Sequence, residues 1–222
     1  YQEYTFLSPK IGLVELKICK DLLKAGLVFF FLQLFTLIGS SSDLIIITQF
    51  ISPEEAGKYA IIQRVFMLAF LSSYFIEPLW PAFGEAMERG DKAWAKKTII
   101  KALKISIITT ISITIPIIIF IEPIFLSLLG ELFIPDAALL LGFFAFCIFA
   151  NYGGIISTFL NNKNTLNKQL PILGLTCIFT LFIKIYFAGI FGVSGVIWGT
   201  VLGYSIFFVY PTYILAKKEL SQ

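Results

Sequence analysis

Long hydrophobic runs without a single charged residue are the feature that most constrains the fold of this chain. Four such runs hold 17 to 32 residues each: 25–42, 105–121, 137–162 and 185–216. A helix needs about 20 apolar residues to cross the hydrocarbon core of a bilayer. Backbone amides in lipid must be satisfied within the protein, and these runs are continuous rather than alternating. We therefore expect transmembrane helices rather than strands.

The runs and the polar breaks between them predict six transmembrane helices, and thus an all-α, polytopic membrane protein. The last run is long enough for the end of one helix, a turn at 192–195 and a further helix. We divide the chain into an amphipathic cytoplasmic linker at 1–24 and a six-helix transmembrane bundle at 25–222. The predicted spans lie at 22–50, 55–83, 99–121, 137–161, 169–190 and 195–217. A short hydrophilic helix is expected at 84–97.

Basic residues fall on every second link between the predicted helices. The links at 1–24, 85–104, 163–168 and 217–222 hold 14 of the 17 Lys and Arg residues, whereas the links between them hold only Lys58. Lys and Arg close to helix ends are retained on the cytoplasmic side during insertion. The pattern predicts that these four links, and with them both termini, are cytoplasmic.

The composition narrows the classes of function. Charged residues make up 14% of the chain and the mean hydropathy is +0.88, whereas soluble domains carry about 25% charged residues. The net charge of +3 follows from membrane topology, so we expect no nucleic-acid partner. The chain has no histidine, and its three cysteines share no ligand spacing. We therefore expect no enzyme activity, no catalytic residue, no metal site and no cofactor.

Three charged residues fall inside the predicted hydrocarbon region: Asp43, Arg64 and Lys184. Each costs about 2.5–3.5 kcal/mol at a helix centre, so each needs a partner or a water-filled cavity. Asp43 and Arg64 both lie roughly 15 Å below the turn at Pro53, which places an acid and a base at one level on neighbouring helices. Lys184 lies about 12 Å below the turn at Gly192, and no acid of the chain is assigned to that depth.

Two interpretations remain open for these charges. Asp43 and Arg64 could form an ion pair that locks two helices together, or they could line a polar lumen and bind substrate. For Lys184, which has no matched acid, a role in lining a cavity and binding substrate is favoured. Other polar residues suit a hydrated lumen and helix–helix hydrogen bonds equally well: Gln33, Ser40, Ser41, Ser42, Gln49, Gln63, Asn151 and Tyr152.

Two further patterns concern packing. Gly195, Gly199 and Gly203 recur at four-residue steps, which predicts that a neighbouring helix approaches the last span closely. Trp80 and Trp198 fall where helices reach the edge of the membrane, where tryptophan is enriched. We expect them to belong to the aromatic belts at the two interfaces.

Three segments resemble one known family. They are Pro78-Leu-Trp-Pro81-Ala-Phe-Gly-Glu85-Ala-Met-Glu-Arg89-Gly-Asp91, the intramembrane Asp43 followed by Pro53-Glu-Glu-Ala-Gly57-Lys-Tyr59, and Phe191-Gly-Val-Ser-Gly195. In order and spacing they resemble the Wzx-type O-antigen and polysaccharide flippases of the multidrug/oligosaccharidyl-lipid/polysaccharide (MOP) exporter superfamily. The resemblance extends from about residue 20 to residue 216.

This resemblance implies a specific architecture and location. Family members are similar to two six-helix bundles related by a pseudo-twofold axis, which open alternately to either side of the bacterial inner membrane. The chain would be the second bundle together with the linker that precedes it, and a missing N-terminal six-helix half would be its partner. The resemblance further implies that Arg64 and Lys184 engage the anionic pyrophosphate of a lipid-linked oligosaccharide, with Asp43 as the matching acid.

The leading hypothesis is thus one half of a flippase for undecaprenyl-pyrophosphate-linked oligosaccharide, with membrane lipids and polysaccharide polymerase machinery as candidate partners. A cation-coupled multidrug exporter of the same superfamily is the first alternative, although it would favour several buried carboxylates and only Asp43 qualifies. A membrane-embedded polysaccharide polymerase or acyltransferase would be expected to show a large external loop or buried histidine or carboxylate pairs. A purely structural membrane subunit is the fourth possibility.

Overall fold

The structure of the protein, a computed structural model, describes residues 16–129, 135–162 and 165–221. These residues are almost entirely helical and include no strand, which confirms the predicted all-α class. Short 3-10 turns at Met67–Phe70 and Glu77–Leu79 connect α2, α3 and α4, and a π-helical turn at Ser205–Val209 joins α8 to α9. The α-helices are α1 Leu16–Phe50, α2 Pro53–Phe66, α3 Ser73–Ile76, α4 Trp80–Glu88, α5 Lys92–Ile119, α6 Ile121–Leu129, α7 Ala137–Leu160, α8 Leu166–Tyr204 and α9 Tyr210–Ser221.

Five helical stretches in the described part of the chain are long and apolar enough to cross a membrane. They are Ile18–Phe50, Pro53–Glu88, Lys92–Ile119, Ala137–Leu160 and Leu166–Ser221. Large apolar side chains cover the outside of the bundle, among them Phe75 (82% exposed) and Phe182 (68% exposed). Such a surface is unfavourable in water and suits a lipid environment. The chain therefore has the character of a multi-pass membrane protein.

The fifth stretch contains both of the last two predicted spans, and Gly192 divides it. Gly192 has φ 60° and ψ −140°, a conformation that glycine adopts without a Cβ clash. Beyond it the chain runs back along the first part of α8: a Cβ on Gly199 would lie 2.8 Å from Cα of Lys184. Gly195 and Gly203 face Phe187 and Thr180 in the same antiparallel way. The predicted close approach along this glycine stripe is confirmed, and α8 consists of two arms folded together at Gly192.

Helix α2 begins as its sequence predicts. The hydroxyl of Ser52 accepts a hydrogen bond of 3.2 Å from the backbone N–H of Glu55, and Pro53 occupies the first turn. Capping oxygens and N-terminal prolines satisfy or remove backbone donors that a helix leaves unpaired. Lys58 forms ion pairs with Glu54 (2.6 Å) and Glu55 (3.1 Å) on the same turn. The turn between α1 and α2 is thus stabilised by contacts among its own neighbouring residues.

The predicted span at 55–83 lies within the helical stretch Pro53–Glu88, but its α-helix is interrupted, because α2 gives way to a 3-10 turn at Met67–Phe70. Side chains of α7 compensate for the break. The amide of Asn151 donates to the carbonyl of Ala69 (3.1 Å), and Sγ of Cys147 lies 3.8 Å from the carbonyl oxygen of Phe66. Backbone groups left without helical partners must find others in a buried environment, and α7 supplies them here.

The prediction of one short hydrophilic helix at 84–97 is wrong. Helix α4 ends at Glu88 and α5 begins at Lys92, with Gly90 at φ 75° between them. The carboxylate of Asp91 caps α5 by accepting from the backbone N–H of Trp94 at 3.0 Å. Residues 16–24 of the predicted linker continue directly into α1, and residues 1–15 lie outside the described residues.

The core consists of two apolar clusters, one at each end of α7. At the first end, the ring of Phe143 packs against Tyr59 (4.9 Å between centroids) and Phe66 (5.3 Å) of α2. At the second end, Phe159 packs edge-on against Phe83 of α4 at 5.6 Å. Aromatic pairs in such geometries add to the stabilisation from area burial. Helix α7 is therefore the central element against which α2 and α4 are placed.

We expect Gly199→Ala to destabilise the protein by about 1–3 kcal/mol, because the new methyl group would overlap the backbone of Lys184. Gly189→Ala, on the same helix, is the matched control, since its Cβ would meet nothing within 4 Å. Thermal unfolding in detergent, followed by circular dichroism, measures both variants. Equal melting temperatures for the two variants would contradict the antiparallel packing of the arms of α8.

Candidate functional site

An ion pair between Asp43 of α1 and Lys184 of α8 lies at the centre of the candidate site. Nζ of Lys184 is 2.6 Å from Oδ1 of Asp43, and the two residues are 1% and 3% exposed. The prediction that Lys184 has no matched acid is therefore wrong. Counting down each helix from its own turn gives an offset of only about 3 Å between the two residues, which a four-carbon side chain bridges easily.

The ammonium group of Lys184 has a complete set of acceptors. In addition to Asp43, it donates to the carbonyl of Gly39 (2.7 Å) and to the hydroxyl of Ser42 (3.0 Å). A protonated lysine has three N–H donors, whereas the neutral amine has two. Three acceptor oxygens within 3.0 Å thus match the charged form of the side chain.

The carboxylate of Asp43 is equally well satisfied. The hydroxyl of Tyr59 donates to Oδ2 at 2.8 Å, and the hydroxyl of Thr200 lies 3.3 Å from Oδ1. Thr200 also lies 3.0 Å from the carbonyl oxygen of Val196, so its single proton is shared between two acceptors. Asp43 lies on α1, and its partners lie on α2 and on both arms of α8. One carboxylate therefore joins three helices.

Arg64 does not take part in this network, and the predicted Asp43–Arg64 ion pair is wrong. Tyr59, Ile62 and Phe66 form the buried face of α2, while Arg64 is exposed. Five residues beyond Tyr59 correspond to a rotation of about 140°, which turns Arg64 away from the bundle although its depth matches that of Asp43. Arg64 makes no hydrogen bond or ion pair within the residues that the structure describes.

The ion pair lies in the wall of a cavity of about 910 Å³ between α1, α2, α7 and α8. Among the described residues, the charged side chains of this wall are Asp43, Glu77 and Lys184, whereas Arg64 is not part of it. Aromatic and aliphatic side chains cover most of the remaining wall. They include Phe29, Leu32, Phe35, Phe66, Met67, Phe70, Phe143, Phe146, Leu173, Tyr204 and Phe208.

Of the polar residues expected to suit a lumen, three line the cavity: Gln33, Ser40 and Gln63. Ser42 instead accepts a hydrogen bond from Lys184. Asn151 donates a hydrogen bond to the backbone at the break after α2. Sequence reasoning missed a polar row on one face of α8, namely Gln169, Thr176, Thr180 and Lys184. Its seven- and four-residue spacing is helical and could have revealed it. Within the described residues, Oγ1 of Thr180 is buried without a hydrogen-bond partner.

A second polar group lies at the opposite end of the cavity. The indole N–H of Trp80 donates to the carbonyl of Asn161 at 2.6 Å. The amide of Gln169 donates to the side-chain oxygen of Asn161 (3.0 Å) and accepts from Ser157 (2.8 Å). Trp80, which was expected to lie in an aromatic belt, therefore also lines the cavity and bonds to the end of α7.

Metal-ligating side chains do not cluster in the described part of the chain, where no group of three or more Cys, Asp or Glu residues could hold an ion. Cys147 and Cys177 are free, buried thiols in the cavity wall. The chemistry that the described wall offers is therefore one buried ion pair, hydroxyl and amide groups, and an apolar surface.

Comparisons with protein-family models, with curated proteins and with solved structures find no significant match to this chain.

We expect Lys184→Met to destabilise the protein by about 3–5 kcal/mol, because it leaves the carboxylate of Asp43 buried without its counter-ion. Adding Asp43→Asn should restore part of this loss, since the two effects are coupled. Thermal unfolding of the unaltered protein, the two single variants and the double variant measures this coupling. Lys101→Met on the exposed face of α5 is the control. Strictly additive effects of the two substitutions would contradict a mutual stabilisation.

Proposed function

We propose that this chain is the second six-helix bundle of a twelve-helix membrane transporter, with the two arms of α8 acting as separate spans and both termini in the cytoplasm. The transporter moves undecaprenyl-pyrophosphate-linked oligosaccharide units across the bacterial inner membrane by alternating access. The observation that supports this proposal is the Asp43–Lys184 pair, buried in the wall of a cavity of about 910 Å³.

An ion pair within the membrane and next to a cavity favours transport over a purely structural role. Charges in transmembrane helices are costly, and they typically face cavities and mark substrate or ion pathways. The cavity volume lies within the range of about 300–1,000 Å³ that is typical of small-molecule sites. A pair whose only task was to hold two helices together would need no such space beside it.

The class of substrate is supported by the sequence resemblance and by the position of Arg64. A dianionic head group at membrane depth needs an accessible positive charge. The charge of Lys184 is neutralised by Asp43, and its ammonium group also donates hydrogen bonds to Gly39 and Ser42. Arg64 is exposed and makes no ion pair with a described residue. Arg64 lies outside the cavity wall, so it would contact the pyrophosphate first where this face of α2 meets the missing half of the transporter, while Lys184 and Asp43 become available to substrate when their pair separates.

The leading alternative is a cation-coupled exporter of the same superfamily, and one observation favours it. The described cavity wall holds two acids, Asp43 and Glu77, against one base, Lys184. With aromatic rings on several sides, such a wall suits an organic cation, which is attracted to carboxylates and to ring faces alike. In this alternative, Arg64 has no part in substrate binding.

Liposomes that contain the complete transporter, with its proposed missing half, and a fluorescent polyprenyl-pyrophosphate oligosaccharide test the proposal. We expect Arg64→Gln to lower the rate of flipping about tenfold or more, since a charge-assisted phosphate contact is lost. Its melting temperature should be unchanged, because within the described structure no partner of Arg64 is left behind. Arg89→Gln, whose side chain pairs with Glu85 on an exposed turn, is the control.

Two results would contradict the proposal. Flipping at the unaltered rate by Arg64→Gln would show that this residue does not bind the pyrophosphate. A protein that flips no lipid-linked oligosaccharide but exports ethidium in response to a proton or sodium gradient would establish the alternative.

A further inference from the structure

A second cavity of about 370 Å³ adjoins the large one. It lies between α4 and the end of α7, and its wall includes Gly84, Met87 and Glu88. Trp80 and Asn161 are the two residues that line both cavities. We propose that Trp80 is a gate: its hydrogen bond to Asn161 separates the two cavities, and its displacement joins them into one water path to the Asp43–Lys184 pair.

The contacts of Trp80 are those of a closed gate. Its indole N–H is 2.6 Å from the carbonyl oxygen of Asn161, and its ring lies edge-on to Phe29 with 5.5 Å between centroids. One side chain thus links the start of α4 to both α1 and the end of α7. The side chain is nevertheless 43% exposed, because it has open space on two sides.

The backbone around Trp80 is built to move without breaking a long helix. Pro78 and Pro81 flank it, and residues 77–79 form a 3-10 turn rather than an α-helix. Proline has no N–H, so this stretch gives up helical hydrogen bonds that would otherwise resist bending. Upstream, the break in α2 at Met67–Phe70 separates this segment from the part of α2 that touches Asp43.

Polar groups mark the route from the gate to the ion pair. Gln169 lies next to Asn161, and Thr180 follows three turns further along the same face of α8, one turn before Lys184. The hydroxyl of Thr180 is buried and has no hydrogen-bond partner among the described residues. An unpaired hydroxyl in a cavity wall is a site for a water molecule. The ligand of the route is therefore water, whichever substrate the transporter carries.

Modification of Cys177 by a small methanethiosulfonate reagent tests the gate. Cys177 lies in the wall of the large cavity and is 7% exposed, and only a hydrated thiolate reacts. In the protein reconstituted into liposomes, Trp80→Phe keeps an aromatic side chain but removes the indole N–H and its hydrogen bond to Asn161. The loss of a hydrogen bond is expected to raise the rate of modification about fivefold, as quantified by mass spectrometry of the Cys177 peptide.

A matched control and a second variant make the test decisive. Trp198 makes the same kind of bond at the other end of α7, to the carbonyl of Ala138 at 2.9 Å, and it does not line the cavity. Trp198→Phe should leave the rate unchanged. Gly84→Phe should fill the second cavity and slow the reaction, since a Cβ at Gly84 meets nothing within 4 Å.

Three outcomes would overturn the gate. An unchanged rate in Trp80→Phe would show that the hydrogen bond to Asn161 does not limit access. An equal increase in Trp198→Phe would attribute the effect to general loosening of α7. If Trp80→Phe does not fold, Gly84→Phe decides alone, and an unchanged rate in that variant would show that water does not enter through the second cavity.

Discussion

The neutralisation of two charges inside a low-dielectric bundle is the interaction on which the rest of this structure depends. Neither the carboxylate of Asp43 nor the ammonium of Lys184 is stable there alone, and each completes its hydrogen bonding only through the other and its neighbours. The pair thereby fixes how α1 stands against α8. The cavity lies beside this tie, with both charged residues in its wall.

Helices of this bundle are interrupted at Gly192, after α2 and before Trp80, and each interruption has an identifiable physical cause. Gly192 reverses α8 through a backbone conformation that L side chains rarely adopt. The break in α2 relies on Asn151, which lies 82 residues further along the chain than the carbonyl that it satisfies. The 3-10 turn before Trp80 coincides with two prolines. The breaks at Met67–Phe70 and Glu77–Leu79 border the cavity, where unbroken helices would leave less freedom to rearrange.

Hydropathy predicted the helical class well, because the length and composition of a single segment decide it. Properties that depend on two segments were harder to predict. Depth along a helix placed Asp43 and Arg64 at one level, but the direction of a side chain around the helix decides whether two residues meet, and Arg64 points outward. The pairing of Lys184 with Asp43 was not predicted, because the depths assigned to the two residues differed by about 3 Å. The break in α2 has no local signal at all, because its support comes from α7.

The fold-back of α8 has a consequence for how any rearrangement of this bundle must proceed. Gly199 leaves no room between the two arms, and the backbone of Lys184 lies directly against it. Because the arms cannot slide past each other without a backbone clash, the alternating access proposed above would move the hairpin of the two arms relative to α1 as one unit. Separating it from α1 breaks the bonds of Lys184 to Gly39, Ser42 and Asp43 in a single event. If the proposed transport involves two arrangements of the bundle, exchange between them would be all-or-none, with a barrier set by the simultaneous loss of these contacts.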